Sequence, residues 1–315
     1  THSKLEKAII ETDEKVAIIQ MLTNGTLIKP VPHDAQPLSS MRIDAELLYN
    51  SIPFSKILFM VNLTMGFILM LFTLYIKKSV ATVRVISNIT LYLSTAFLLS
   101  AFLLRWYISQ TIPLTNGYET MMFVALATLL IAILLHRRIS VIAPFGLIIS
   151  GFTLLVSHLA QMNPQITPLM PVLQSPLLSS HVALIMISYS LFAFMTLNGV
   201  TSLILMRKPS GHEQAQRLTI ISRIMLYPAT LLLAIGIFIG AVWANVSWGN
   251  YWSWDPKEVW ALITMIVYGI AFHDTSIKWL RTDRYFNIYI TLASLTVLMT
   301  YFGVNYLLGG MHSYA

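Results

Sequence analysis

Apolar residues gather along this chain into eight runs, each long enough to cross the roughly 30 Å hydrocarbon core of a bilayer. They lie near residues 56–76, 85–108, 119–135, 140–158, 177–206, 224–245, 256–273 and 286–308. Ahead of them, residues 1–55 are polar, hold seven of the thirteen acidic side chains and carry turn signals at Asn24-Gly25 and Lys29-Pro30-Val31-Pro32. One stretch there differs: Ile43, Leu47, Leu48 and Ile52 recur at helical spacing over 41–52, as in an amphipathic helix lying on a membrane surface. The pattern predicts an all-α, polytopic membrane helix bundle of about eight transmembrane helices over 56–315, preceded by a polar extracytoplasmic segment over 1–55.

The loops between the runs alternate in charge. Lys77, Lys78, Arg84, Arg137, Arg138, Arg207, Lys208, Arg217, Arg223, Lys278, Arg281 and Arg284 fall on one set, twelve cations against only Arg105 and Lys257 on the other. The positive-inside rule then puts both termini outside, with the loop before the seventh run. Apolar residues make up 56% of the 315 and charged residues 10%, so the net charge of +7 reflects membrane orientation rather than nucleic-acid binding. The chain has no cysteine, so any thiol chemistry uses a partner's thiols. It opens at Thr1 with no signal peptide and reads as a fragment or a processed product.

Five of the seven tryptophans crowd into 243–260: Trp243, Trp248, Trp252, Trp254 and Trp260, with Gly249, Asn250 and Tyr251 among them. Anchoring at the headgroup level accounts for one or two indoles. Five supply a platform for a large flat ligand. Asp255, Pro256 and Glu258 meanwhile spell N-cap, N1 and N3 of a helix with a capping box, which would fix the orientation of the loop before it. Two histidines reach the same face: His181, just inside the fifth run after a proline-rich loop with Ser175 and Pro176 as N-cap and N1, and His312, after Gly309-Gly310. An imidazole pair beside an aromatic platform suits haem, which takes two axial nitrogens on its iron.

The segment WGNYWSWDPKEVW, residues 248–260, resembles the tryptophan-rich WWD signature of the haem-handling membrane proteins of cytochrome c maturation, matching every specified position. Residues 55–315 most resemble the CcsA (ResC) family, the larger part of the CcsBA-type cytochrome c synthase. The resemblance implies haem b as ligand, and a site built from Trp248, Gly249, Tyr251, Trp252, Trp254, Asp255 and Trp260. SPLLSSH and GGMHSY match the contexts of the family's external axial ligands, which implies His181 and His312; His158 matches no ligand position. His273, at the far end of the seventh run, corresponds to a ligand for haem entering from the cytoplasmic side. Pro113 to Glu119 resembles the P-x-x-N-x-Y-E element, placing Glu119 near the haem chamber. Arg105 and Lys257, the only outer cations between runs, are candidates for pairing with haem propionates.

The expected function is haem export and covalent attachment to an apocytochrome c bearing Cys-x-x-Cys-His, in a cell inner membrane and together with a CcsB half that supplies a second ligand near His273. Rival readings are a haem chaperone without attachment activity, an ion-coupled transporter, for which the runs offer few buried ionisable groups, and a scaffold subunit with an aromatic belt.

Overall fold

Each apolar run becomes a helix because a bilayer offers backbone amides no partner outside the segment. The computed structural model describes residues 40–75, 80–137, 139–160, 162, 164–166 and 174–308, and among them there is no strand. Residues 1–39 and His312 lie outside the described residues. A short α1 (Ser40–Ser51) precedes α2 (Phe54–Tyr75), α3 (Val80–Ser109), α4 (Gly117–Leu135), α5 (Ile142–Leu159), α6 (Pro176–Leu205), α7 (His212–Trp248), α8 (Pro256–Ile270) and α9 (Asp283–Leu298). From Ala45 onward the chain forms one compact unit.

Seven of these helices, α2 to α7 and α9 with its continuation, have the length and apolarity to cross a membrane. The seventh expected span, 256–273, is not among them. α8 has 15 residues, about 22 Å at 1.5 Å rise, and a 3₁₀ turn over Ala271–His273 completes its apolar stretch. α7 is longer than its apolar run: 37 residues in one helix, with Pro228 inside it. The eighth expected span also departs from expectation, because the ten residues after α9, Met299–Leu308, form a π-helix.

Turn chemistry sets the ends. Asn116 caps α4 by accepting from the Glu119 backbone N–H at 2.9 Å. Pro176 stands at N1 of α6 as expected, although Ser175 makes no side-chain cap bond. α7 ends in left-handed Gly249 at φ 80°, where any Cβ would be strained.

The interior is apolar and close-packed. Phe145, Phe192, Phe194, Phe286, Tyr268, Leu91 and Leu98 are fully buried, and Tyr268 stacks on Phe192 with centroids 3.6 Å apart. Small and hydroxyl residues let helices approach, as membrane interfaces require. Ser188 of α6 donates to the Ala229 carbonyl of α7 at 2.7 Å, and Asn287 of α9 donates to Ser202 at 3.0 Å and Thr219 at 2.7 Å. Outward-facing Leu134, Phe238 and Val246 are more than 70% exposed, which suits contact with acyl chains.

Neighbouring helices run in alternate directions. The start of α4, the residues after α5, the start of α6, the α7–α8 loop and the end of α9 therefore share one end of the bundle, here called the aromatic end. The loops that carry most cations share the other.

A cleft at the aromatic end of the bundle

Local chemistry shapes the α7–α8 loop first. Asp255 and Glu258 form the capping box expected of their spacing: the Asp255 carboxylate accepts from the Lys257 N–H at 2.9 Å, and the Asp255 N–H donates to Glu258 at 3.2 Å. Glu258 also accepts from the Ser253 N–H at 2.9 Å. Two backbone donors thus converge on one carboxylate and clamp the residue between them. That residue, Trp254, sits at φ 60°, a left-handed conformation costly for a bulky side chain.

The clamp divides the tryptophans. Trp243, buried, and Trp252, half-buried, line a cavity of about 260 Å³ together with the exposed Tyr251. Trp248 and Trp254 are 50% and 72% exposed and do not line it, and each packs edge-on against a lining indole, Trp248 on Trp243 at 6.4 Å and Trp254 on Trp252 at 6.0 Å. Trp260 contributes through its backbone, its carbonyl accepting from Thr264 at 2.8 Å beneath the cleft. The sequence treated the five indoles as one platform; the structure makes two of them walls and two of them buttresses.

His181 is the imidazole in the wall. A carbonyl can only accept, so in the neutral ring the 2.6 Å bond to the Gly236 oxygen places the proton on Nδ1 and the lone pair on Nε2, the form that binds metals. The ring fits because α7 has glycine opposite it: a Cβ at Gly240 would lie 2.5 Å from His181 Nδ1 and Cε1. Gly236 and Gly240, four apart on α7, form a seat for α6. That pair was visible in the sequence as a small-x-x-x-small spacing and went unread there.

Further polar groups complete the lining: Thr115, Asn116 and Thr120 at the start of α4, Tyr189 of α6, Lys257 and Glu258 of α8, and Thr300, Tyr301 and Asn305 of the π-helix. Tyr301 and Thr120 hydroxyls meet at 2.8 Å, joining positions 181 residues apart. Thr300 donates to the Thr296 carbonyl at 2.7 Å and lies 3.0 Å from Thr264 Oγ1. Asn305 Oδ1 is buried and makes no protein hydrogen bond, a polar atom available to a ligand. The wider π turn presents all three of these residues to the cleft, and nothing in the sequence marks it.

Other expected residues lie elsewhere. Arg105 and Glu119 do not line the cleft. They form a buried pair behind its wall, Nε to Oε1 2.8 Å, with side chains 0% and 4% exposed. The remaining guanidinium donors go to the Pro164 carbonyl at 2.6 Å, the Gln165 carbonyl at 3.2 Å and the Tyr49 hydroxyl at 3.3 Å, so Arg105 does not present its charge to the cavity. His158, exposed at the end of α5, packs on Phe59 at 5.3 Å and also lies away from the cleft. His273 is exposed on the 3₁₀ turn at the opposite end of α8, and the cleft does not reach it. His136, at the same end as His273, is buried, donating from Nδ1 to the Ile133 carbonyl at 2.7 Å with Tyr92 edge-on to its ring.

A polytopic helical membrane protein with one imidazole set in an aromatic cleft is the class that fold and site define. Residues 114–312, which contain every residue lining the cleft, match the family described as cytochrome c assembly protein. Protein NrfI of Wolinella succinogenes is 34% identical over 286 residues, covering 88% of this chain and 32% of its own length. Cytochrome c biogenesis protein CcsA of Chlamydomonas reinhardtii is 35% identical over 75% of this chain and 69% of its own. CcsA of Mesostigma viride is 30% identical over 81% and 96%. The chain belongs to the cytochrome c assembly family, and it spans about a third of the length of NrfI.

Proposed function

We propose that the chain receives haem b as a substrate in this cleft, at the extracytoplasmic face of a cell inner membrane, and presents it to an apocytochrome c. The observation that carries the reading is the seating of His181: an imidazole in the cleft wall together with Trp243 and Trp252, its Nδ1–H donated to the Gly236 carbonyl. Trp243 and Trp252 supply apolar surface for a porphyrin face, and Lys257 supplies a polar contact for its carboxylates. His312, by its sequence context, would supply a second nitrogen donor to the iron.

The attachment chemistry needs no group transfer from this chain. A thiol of the apocytochrome adds across a haem vinyl: the S–H and C=C bonds are consumed, C–S and C–H bonds form, and nothing leaves. Holding the haem edge toward two thiols at fixed spacing lowers the entropic barrier, which is the contribution of a positioning site. A chain free of cysteine suits that role, because none of its own thiols competes for the vinyl carbons. His273, exposed at the other end, serves as one ligand of an entry site completed by a CcsB half.

Visible spectroscopy of the purified full chain with its membrane partner tests the reading. The reduced protein should show six-coordinate low-spin haem. His181→Ala should open a position that added imidazole refills, while His158→Ala should leave the spectrum unchanged. Absence of a Soret band, or loss of haem in His158→Ala and not in His181→Ala, would reject the proposal.

A further inference from the structure

A buried ion pair at the aromatic end lies not in the cleft but behind it, and its bonds tie together four pieces of chain, α3, α4, α1 and the α5–α6 connection. Arg105, on α3, reaches Glu119 of α4, Tyr49 of α1, and the backbone carbonyls of Pro164 and Gln165 in the connection from α5 to α6. Its guanidinium lies between two phenol rings, 5.2 Å from the centroid of Tyr118 and 5.8 Å from that of Tyr49. Tyr118 in turn shares a 2.7 Å hydrogen bond with Ser55 at the start of α2. Glu119 spends its second oxygen on Thr115, accepting from the backbone N–H at 2.9 Å and the hydroxyl at 2.6 Å. Thr115 and its neighbours Leu114, Asn116 and Gly117 are cleft wall.

We infer that Arg105 and Glu119 act as positioning residues: a buried clamp that fixes the wall formed by residues 114–120 against α3, and holds the α5–α6 connection beside it. Two features make this more than ordinary packing. A planar guanidinium satisfies acceptors in several directions at fixed angles, so the clamp transmits geometry as well as charge. Glu119 meanwhile bonds the backbone of a lining residue directly, so a shift of its carboxylate moves the wall rather than one rotamer. Both side chains are enclosed, so the clamp works without touching whatever occupies the cleft. The inference deepens the reading of the cleft as a haem site and rests on it for its purpose, not for its geometry.

A test that needs no haem uses the absence of cysteine. Nitroxide labels on Gly117→Cys in the wall and Ala241→Cys on α7, across the cleft, report their separation in the full chain. Glu119→Gln keeps the shape and an acceptor but removes the charge, and Arg105→Lys keeps the charge but cannot reach all the acceptors. Each should at least double the width of the distance distribution while helical content is retained. Glu213→Gln, in the exposed pair with Arg217, should leave it unchanged. In the same variants haemin should bind more weakly, with the low-spin spectrum of the bound fraction unaltered. If Arg105→Lys fails to fold, Glu119→Gln alone decides. An unchanged width in folded Glu119→Gln would overturn the clamp, whether or not haemin binds. A widened distribution in a chain that never binds haemin would leave the clamp standing and reject the haem reading instead.

Discussion

The two ends of the bundle handle an arginine in opposite ways. At the aromatic end Arg105 is fully enclosed, and carbonyls, a carboxylate and two phenols meet it on all sides. At the other end Arg223 of α7 bonds Asp274 at 2.6 Å and approaches Asp283 at 3.7 Å, with side chains 25%, 34% and 37% exposed. It also covers the Phe286 ring at 4.1 Å. Two of the candidate ligands differ in the same sense: His181 is seated in a wall, and His273 stands exposed on a 3₁₀ turn. One end is built to hold a shape and the other to meet a headgroup layer or a partner. α8 connects them, with its capping box at the first end and His273 at the second.

Four measurements bear on this contrast. The largest effect is all-or-none: a cysteine at Asn250 should label from outside sealed cells and one at Ser210 should not, since the cation-rich loops lie with Ser210. Labelling of both would remove the polarity from the comparison. Next comes stability in detergent, read by denaturant titration. Arg105→Leu leaves Glu119 charged and buried and should cost about 3–5 kcal/mol, whereas Arg223→Leu breaks a partly solvated pair and should cost about 1 kcal/mol.

Glycines sharpen the contrast further. Gly240→Ala drives a methyl into the His181 ring and should weaken haemin binding about tenfold, the equivalent of 1.4 kcal/mol. Gly269→Ala, near the far end of α8 with nothing within 4 Å of the added carbon, should be neutral or stabilise by up to about 1 kcal/mol. The smallest difference is between neighbours in the loop. Trp252→Ala should lower haemin affinity more than Trp254→Ala, because the first ring is wall and the second only supports it; equal losses would restore the single platform.

Helix positions were readable because burial in lipid leaves long apolar runs no alternative, and the cap at Asp255 was readable because three side chains in four positions specify it. What escaped the sequence depended on pairs far apart. Nothing near residue 181 announces that Gly236 and Gly240 receive its ring, and Arg105 looks like an outer cation available to a carboxylate until Pro164, Gln165 and Glu119 are seen closing over it. Tryptophan spacing could not separate Trp252 from Trp254, since a single left-handed residue turns one in and the other out. The π turn at Met299–Leu308 left no trace in the local sequence, and its residues Thr300 and Tyr301 meet Thr264 and Thr120, far away along the chain.

The bond between Thr120 and Tyr301 sets an order of assembly. Its partners leave the ribosome 181 residues apart, and every lining element between them must already be in the membrane when they meet. A nascent chain with α8 inserted has indoles and an imidazole but lacks a whole side of the cleft. The cavity closes only when α9 and its π-helical continuation arrive, so a chain arrested or truncated before them should display its tryptophans to the bilayer without enclosing anything.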